Sequence, residues 1–306
     1  MRVACIGEAM IELSMVGNSK AVVGVAGDTL NTAIYLKRMS PMFEVDYITR
    51  LGTDAFSAQI KTFVANQDIG TDQIETSPDR SPGLYAITTT PTGERSFTYW
   101  RDQSAARQLF QTDTSPRFEA LDGYDCLYLS GITLAIIPDS IRMALLAYLS
   151  RSHHSVAFDS NYRPRLWPDK ARAQQVISAF WQRADIALPS LDDEMLLTEA
   201  TAAQVTQHFL NSTCQGALKR GDQGPISLSE PINQPYPTAP KVIDTTAAGD
   251  SFNGAYLAAL WAGAPQQKAL LAGHECAAFV VQHRGAIAPM QGAKLNAAAT
   301  QRLQKK

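Results

Sequence analysis

Two hydrophobic rhythms alternate along the chain. Short runs, Val3 to Ile6, Val45 to Ile48, Cys126 to Leu129, Val156 to Asp159, Ile186 to Leu188 and Gly216 to Lys219, have the length and continuity of strands buried on both faces. Between them, apolar residues recur at helical spacing over Gly27 to Met39, Phe56 to Val64, Ile141 to Leu149, Ala171 to Trp181, Ala202 to Leu210 and Tyr256 to Trp261, with a further helix start at Asp193 to Leu197. This alternation predicts an α/β fold, a Rossmann-like, mostly parallel sheet with helices on both faces. One region breaks the rhythm. Leu84 to Thr90 and Arg95 to Trp100 alternate polar and apolar residues, are rich in Thr, Tyr and Phe, and flank the turn Pro91-Thr92-Gly93-Glu94. That is a β-hairpin pattern, and it predicts a small sheet standing off the main body. Ser227 to Pro240, with Pro231, Pro235, Pro237 and Pro240, reads as an edge hairpin or loop.

Composition narrows the class. A chain of 306 residues with 45% hydrophobic and 18% charged residues builds its own core and is not disordered. Its 27 basic and 29 acidic residues leave a net charge of -2, so an extended nucleic-acid surface is not expected and any polyanionic partner is small. Cys5, Cys126, Cys214 and Cys276 show no Cys-x-x-Cys spacing and read as small buried hydrophobes in a reducing, cytoplasmic compartment. The apolar run near the N-terminus stops at Glu8, too soon for a secretory signal. The most apolar long stretch, Ala255 to Ala264, is too short to span a bilayer, so no membrane association is expected.

The chemistry concentrates in Asp244-Thr245-Thr246-Ala247-Ala248-Gly249-Asp250-Ser251-Phe252-Asn253-Gly254-Ala255-Tyr256. Ala247, Ala248 and Gly249 have little side chain, so an anion can approach their backbone N–H groups at the start of a helix. Asp250 would repel that anion unless it takes a proton from something. A carboxylate beside an anion hole suits transfer of a phosphoryl group to a hydroxyl: the base accepts the hydroxyl proton and the amides stabilise the transferring group. The bland alternative is that Asp250 caps the helix and the small residues make a turn.

This stretch resembles the second signature of the ribokinase-like (PfkB) carbohydrate kinases from Asp244 through Ala255, and the resemblance runs along nearly the whole chain. Ala26-Gly27-Asp28-Thr29-Leu30-Asn31 resembles the family's N-terminal substrate element, with Ala26 in place of its first glycine. Leu51-Gly52-Thr53-Asp54 stands at the family's Gly-x-Asp turn, and Lys219-Arg220-Gly221-Asp222-Gln223-Gly224 resembles its nucleotide loop. The resemblance implies a single kinase domain over 1–306 with a β lid from about 10–24 and 82–102. It implies ATP and Mg2+ as cofactors. Asp250 is then the base and Ala247, Ala248 and Gly249 the anion hole. Gly27, Asp28 and Asn31 bind substrate. Asn161, Arg163, Ser190, Lys219, Gly221, Gly224, Ala247 and Gly249 bind nucleotide. Ser190 and Asp193 replace the Asn and Glu of the family's metal-organising element, which leaves a metal role to Asp193 or its neighbour Glu194; both are equally explained as first-turn acids of a helix. Asp244 and Thr246, with Gly285-Ala286-Ile287, resemble a monovalent-cation site that would hold K+.

Pro82-Gly83-Leu84-Tyr85, Tyr99-Trp100-Arg101 and Asn161-Tyr162-Arg163-Pro164-Arg165-Leu166-Trp167 resemble the branch of the family that acts on 2-keto-3-deoxygluconate. Two guanidinium groups, Arg101 and Arg163, suit the carboxylate of a sugar acid, and Tyr85 and Tyr99 add hydroxyls and an apolar wall. Taken singly, Arg101 reads equally well as a solvated hairpin end and Arg163 as a salt-bridging surface residue, while Arg163 also stands where ATP phosphates come within reach. Arg165 is assigned a structural role, and Arg95 and Arg107 read as exposed charges. His274, alone on an apolar helix, reads as a satisfied core residue, and His153-His154 lacks metal-ligand spacing. The alternatives are a kinase for another sugar, fructose or 2-keto-3-deoxygalactonate, and a catalytically silent sugar-acid-binding relative. The exposed face of the hairpin suggests a homodimer through the lid.

Overall fold

A computed structural model of the chain describes residues 1–17, 19–89, 95–212 and 214–290. The predicted Pro91–Glu94 turn lies outside the described residues. In chain order the elements begin with β1 (Arg2–Ile6), β2 (Met10–Val16), β3 (Lys20–Ala26), α1 (Asp28–Met39), β4 (Glu44–Ile48), β5 (Arg50–Leu51) and α2 (Ala55–Ala65). Next come β6 (Glu75–Thr76), β7 (Gly83–Thr89), β8 (Arg95–Trp100), β9 (Cys126–Ser130), α3 (Gly131–Ile136), α4 (Asp139–Leu149), β10 (Ser155–Asp159) and α5 (Lys170–Arg183). The rest are β11 (Ile186–Ala187), α6 (Leu191–Thr198), α7 (Ala202–Leu210), β12 (Gln215–Leu218), β13 (Ile226–Ser227), α8 (Ala248–Trp261) and α9 (Gln266–Val280).

The main sheet has the order β13-β12-β11-β10-β9-β1-β4, parallel throughout except for β13 at its edge. Its strands alternate into two cores. Val3 and Cys5 point to the layer of α1, α8 and α9, where they meet Leu30, Ile34, Tyr256 and Leu270. Ala4 and Ile6 point to the layer of α3, α4 and α5, with Leu145, Ile177 and Phe180. Apolar side chains on both faces are why these strands read as continuous runs. Strand order reverses at β1, which separates β4 from β9, and a crevice opens at such a switch point beyond the carboxyl ends of the strands.

A second sheet, β3-β2-β7-β8, carries the hairpin: β7 and β8 are antiparallel with Tyr85 opposite Tyr99, and β2 runs parallel to β7. The stretch from 227 to 240 makes only the short edge pairing of β13 with β12 and otherwise runs as loop. Asp54, in the predicted Gly-x-Asp turn, caps α2 by accepting from the amides of Phe56 and Ser57, which is a complete structural reason for an acid there.

Helices α1 and α8 pack backbone to backbone. A Cβ built on Gly254 would lie 2.6 Å from the Thr32 carbonyl oxygen and 2.8 Å from the Leu36 nitrogen. Gly254→Val should therefore cost stability by roughly 1–3 kcal/mol, the usual range for overpacking, and lower activity with it. Thermal melting beside a kinase assay checks this; a variant that melts like the parent would mean that the two helices part freely.

Candidate active site

A cavity of about 850 Å³ opens where the ends of β10 and β12 face the second sheet. Helix α8 presents its N-terminus to it. Ala247 is the N-cap, in the left-handed region at φ 59°, and Asp250 sits inside the first turn at the third helical position. The reading of Asp250 as a cap is thereby corrected. The anion hole is also narrower than its three small residues suggest, because the Ala248 N–H turns back to the Thr245 carbonyl at 3.2 Å. The amides of Gly249 and Asp250, which have no intrahelical acceptor, are the ones that face a ligand. A Cβ on Gly249 would meet only the Lys219 Nζ, at 3.8 Å. What glycine provides here is room on the cavity side, not backbone freedom.

Asp250 is held from the next helix. Asn31 donates its side-chain N–H to the Asp250 carboxylate at 2.8 Å, and Thr32 donates its hydroxyl to the Asp250 backbone carbonyl at 3.2 Å. The Asn31 Oδ1 is buried without a partner beside the cavity. Burial, reinforced by the charge of Asp28 and resisted by the Asn31 hydrogen bond, pushes the Asp250 carboxyl up to about 8. Lys219 lies below. Its ammonium donates to Asp159 at 2.5 Å and to the Asn253 side chain at 3.0 Å, and Asn253 in turn donates to Asp159 at 2.6 Å. Asp159 was not among the site residues expected from the sequence, yet it lines the cavity. Its signal was present: an acid at the carboxyl end of a buried parallel strand.

The opposite end of the cavity is aromatic and cationic. Tyr85 stacks on Tyr99 at 5.4 Å between ring centres and donates its hydroxyl to Glu12. Arg101 is 5% exposed and ion-paired with Glu8, itself buried, so it is not a solvated hairpin end. The Arg101 Nε and the Glu8 Oε1 remain buried without partners. Gly83 leaves space for this pair, since a Cβ there would lie 2.7 Å from Glu8 Oε1 and 3.1 Å from the Arg101 Cβ; a Cβ on Gly27 would likewise lie 2.1 Å from the Glu8 carbonyl. Arg163 lines the cavity and donates to both Asp193 oxygens, at 3.0 and 3.2 Å. Arg165, assigned a structural role, has its guanidinium over the Tyr99 ring at 3.6 Å and also lines the cavity.

Other expected residues separate into two groups. Gly27, Asp28, Asn161, Ser190, Gly221 and Ala247 line the cavity. Asp28 accepts from the Ser130 hydroxyl and from the Asn161 side chain, the latter at 2.9 Å. Gly224 does not line it; with φ 76° it ends the Gly221–Gln223 turn, and Tyr236 fills the space of a Cβ. Asp193 is engaged by Arg163, and burial holds its carboxyl above the usual range. Glu194 points inward, where burial pushes it to about 7. Asp244 accepts from Thr246 and from the Gly285 amide, at 2.7 Å each, which ties the loop before α8 to the 285–287 segment. His274 lines the cavity and bonds the Pro237 carbonyl at 2.8 Å.

A helix N-terminus for an anion, a proton acceptor beside it and a cationic aromatic pocket within the same cavity are the parts of a phosphoryl-transfer site for a sugar. The family model for pfkB family carbohydrate kinases matches residues 1–293, and the chain belongs to that family. It is 40% identical to the 2-dehydro-3-deoxygluconokinase of Dickeya dadantii (strain 3937) over 94% of this chain and 97% of that one. The 2-dehydro-3-deoxygluconokinase of Escherichia coli (strain K12) is also 40% identical, over 95% and 98%. Among solved structures, the fructokinase of Vibrio cholerae O395 with fructose, ADP and calcium ion bound superposes with a TM-score of 0.76 at 24% identity, covering 93% of this chain and 94% of that one.

Two outcomes follow from the site. Asp250→Asn should lower turnover by roughly 10²–10⁴, and the parent kcat/KM should rise with pH through about 8 as the carboxyl ionises. A raised carboxyl stabilises the fold fully below the ordinary carboxylate range, and this contribution is lost as pH climbs through about 8. The ligand-free Asn variant should therefore gain on the parent in melting temperature between pH 5 and 8 and hold that gap above; a gap independent of pH would place Asp250 in an ordinary solvated setting. Gly249→Ala should melt at or above the parent temperature, since alanine is favoured by roughly 1 kcal/mol in a helix, while kcat/KM falls at least tenfold. Parallel losses of melting temperature and activity would make Gly249 a structural residue.

Proposed function

We propose that the protein transfers the γ-phosphoryl group of ATP to the terminal (6-) hydroxyl of 2-keto-3-deoxygluconate, giving 2-keto-3-deoxy-6-phosphogluconate and ADP. The observation that carries this reading is the cavity's polarity: Arg101 and Arg165 stand with Tyr85 and Tyr99 at one end, Arg163 is held by Asp193, and Asp250 lies at the anion hole. A sugar acid has a carboxylate for the first end and a primary hydroxyl for the second. A neutral sugar such as fructose offers no carboxylate to Arg165, whose guanidinium rests on the Tyr99 ring while Arg101 and Arg163 are held by Glu8 and Asp193. The 40% identical relatives named for the same substrate support the same reading.

Asp250 takes the proton of the terminal hydroxyl as that oxygen bonds to the γ-phosphorus and the bond from phosphorus to the ADP oxygen breaks. The Gly249 and Asp250 amides and Lys219 stabilise the charge on the transferring group. Lys219, Gly221 and Ser190 border the nucleotide part of the cavity. Among the described residues no group of three or more His, Cys, Asp and Glu side chains is placed to hold a metal. The divalent ion, read as Mg2+, would neutralise charge on the nucleotide phosphates when bound, with Asp193 on the cavity wall to organise it. K+ is assigned to the junction of the 244–246 and 285–287 loops that Asp244 builds.

The second sheet acts as a lid that excludes water from the phosphoryl group. It exposes Val16, Val22, Val23, Phe97 and Trp100, an apolar set suited to a homodimer through this sheet. The free thiols fit the cytoplasm as the working compartment.

A panel of 2-keto-3-deoxygluconate, 2-keto-3-deoxygalactonate, fructose and ribose with ATP and Mg2+ tests the assignment; faster phosphorylation of a neutral sugar would overturn it. Arg101 is a poor probe of the carboxylate contact, because its removal strands the buried Glu8. Arg165 has no such partner. Arg165→Ala should raise KM for the sugar acid by about 10–100-fold, the equivalent of one charged hydrogen bond, and move KM for ATP less than threefold. Equal KM values for the sugar acid in parent and variant would remove Arg165 from the carboxylate site.

A further inference from the structure

A second cavity, of about 420 Å³, is lined by Arg80, Arg107, Arg142, Gln108, Gln111 and Trp167 among others, with no acidic side chain among its lining residues. Arg142 is its deepest cation. It reaches from α4, is 5% exposed, and spends one N–H, from Nη2, on the Ile137 carbonyl at 2.8 Å. Its Nε and Nη1 are buried with no hydrogen-bond partner. The nearest carboxylate, Asp139, lies 3.8 Å from Nε, beyond hydrogen-bond reach, and Arg172 already holds it at 2.9 Å. The guanidinium stands over the Trp167 ring at 5.1 Å, which fixes its plane. A buried guanidinium with two unmet donors is costly, and the neighbouring charge of Arg107 adds to the cost. The Ile137 carbonyl, the Trp167 ring and the charge of Asp139 offset part of it, and the two buried donors stay unmet.

We propose that this cavity is a binding site for a small phosphate-bearing anion. Phosphate suits it better than a single carboxylate. Three guanidinium groups exceed the charge of one carboxylate, and the forked donors of arginine match phosphate oxygens in pairs. The side-chain amides of Gln108 and Gln111 supply neutral donors, and the volume accommodates a molecule the size of a sugar phosphate. The site lies on the reverse of the two segments that furnish the cationic end of the first cavity. Arg101 precedes the Ala105–Gln108 turn and Arg107 lies within it, and Arg165 and Trp167 are two residues apart. An anion held between Arg107 and Arg142 therefore sits against the segments that carry Arg101 and Arg165.

The test uses the full chain, with inorganic phosphate and 2-keto-3-deoxy-6-phosphogluconate as probes, followed by tryptophan fluorescence and melting temperature against potassium chloride at matched ionic strength. Arg142→Gln is the direct variant, but it disturbs a buried contact, so Arg107→Gln, only half-buried, decides the matter. The parent should show a saturable response to at least one probe, Arg107→Gln should weaken that affinity at least tenfold, and its turnover without added phosphate should stay within twofold of the parent. Trp167→Phe should lose the fluorescence response and keep the melting shift. A stronger response to the sugar-acid phosphate makes the ligand a phosphate ester, and an equal or stronger one to inorganic phosphate makes it the free anion. No response beyond potassium chloride, or equal affinity in Arg107→Gln and parent, overturns the site.

Discussion

The hydrogen bond from Asn31 to Asp250 is the contact on which the rest of the site depends. It joins two helices more than two hundred residues apart in the chain, and at 2.8 Å it exists only because α1 and α8 touch backbone to backbone at Gly254. That contact fixes where the α8 N-terminus stands relative to the substrate element at Gly27 to Asn31. It therefore sets the distance between the Asp250 carboxylate and the Gly249 and Asp250 amides, the proposed base and phosphate site. The same bond opposes the raised affinity of Asp250 for its proton. One interhelical contact thus governs both the position and the basicity of the carboxylate.

Charge is distributed unevenly along the cavity. The floor gathers Asp28, Asp159 and Asp250 around Lys219, and the far end gathers arginines on an aromatic wall. Lys219 is neutralised from below by Asp159, so it enters the site as an oriented donor and not as a free cation. A carboxylate flanked by other carboxylates in a half-buried cleft keeps its proton more tightly, which suits a group that must remove one from a hydroxyl.

The main sheet, its flanking helices and the hairpin are legible in the sequence because each is written locally, in the period of its apolar residues. The α8 site is legible for a related reason: Ala247, Ala248, Gly249 and Asp250 act through their own backbone and are neighbours in the chain. What is not legible is whatever two distant segments make together. Nothing near Glu8 announces that Arg101 will be its partner, since the pair forms only once the second sheet is assembled. Arg165 reads as structural, and nothing beside it in the chain announces that Tyr99 lies beneath its guanidinium. Strands β2 and β3 carry no clean alternation, and only the family resemblance points to them. Gly221 and Gly224 are equivalent glycines in one loop by sequence, and only the fold shows that Tyr236 closes off the second.

The attachment of the second sheet has a mechanical consequence. Its strands leave the main body at the segments around Glu8, Gly27, Gly83 and Arg101, and these crossings are crowded on one residue: the Glu8 carbonyl against Gly27, its carboxylate against Gly83 and Arg101. The second sheet is thus held at several points that share one anchor. The ion pair sits at that anchor, so a displacement of the second sheet against the main body would be felt at the Arg101 guanidinium.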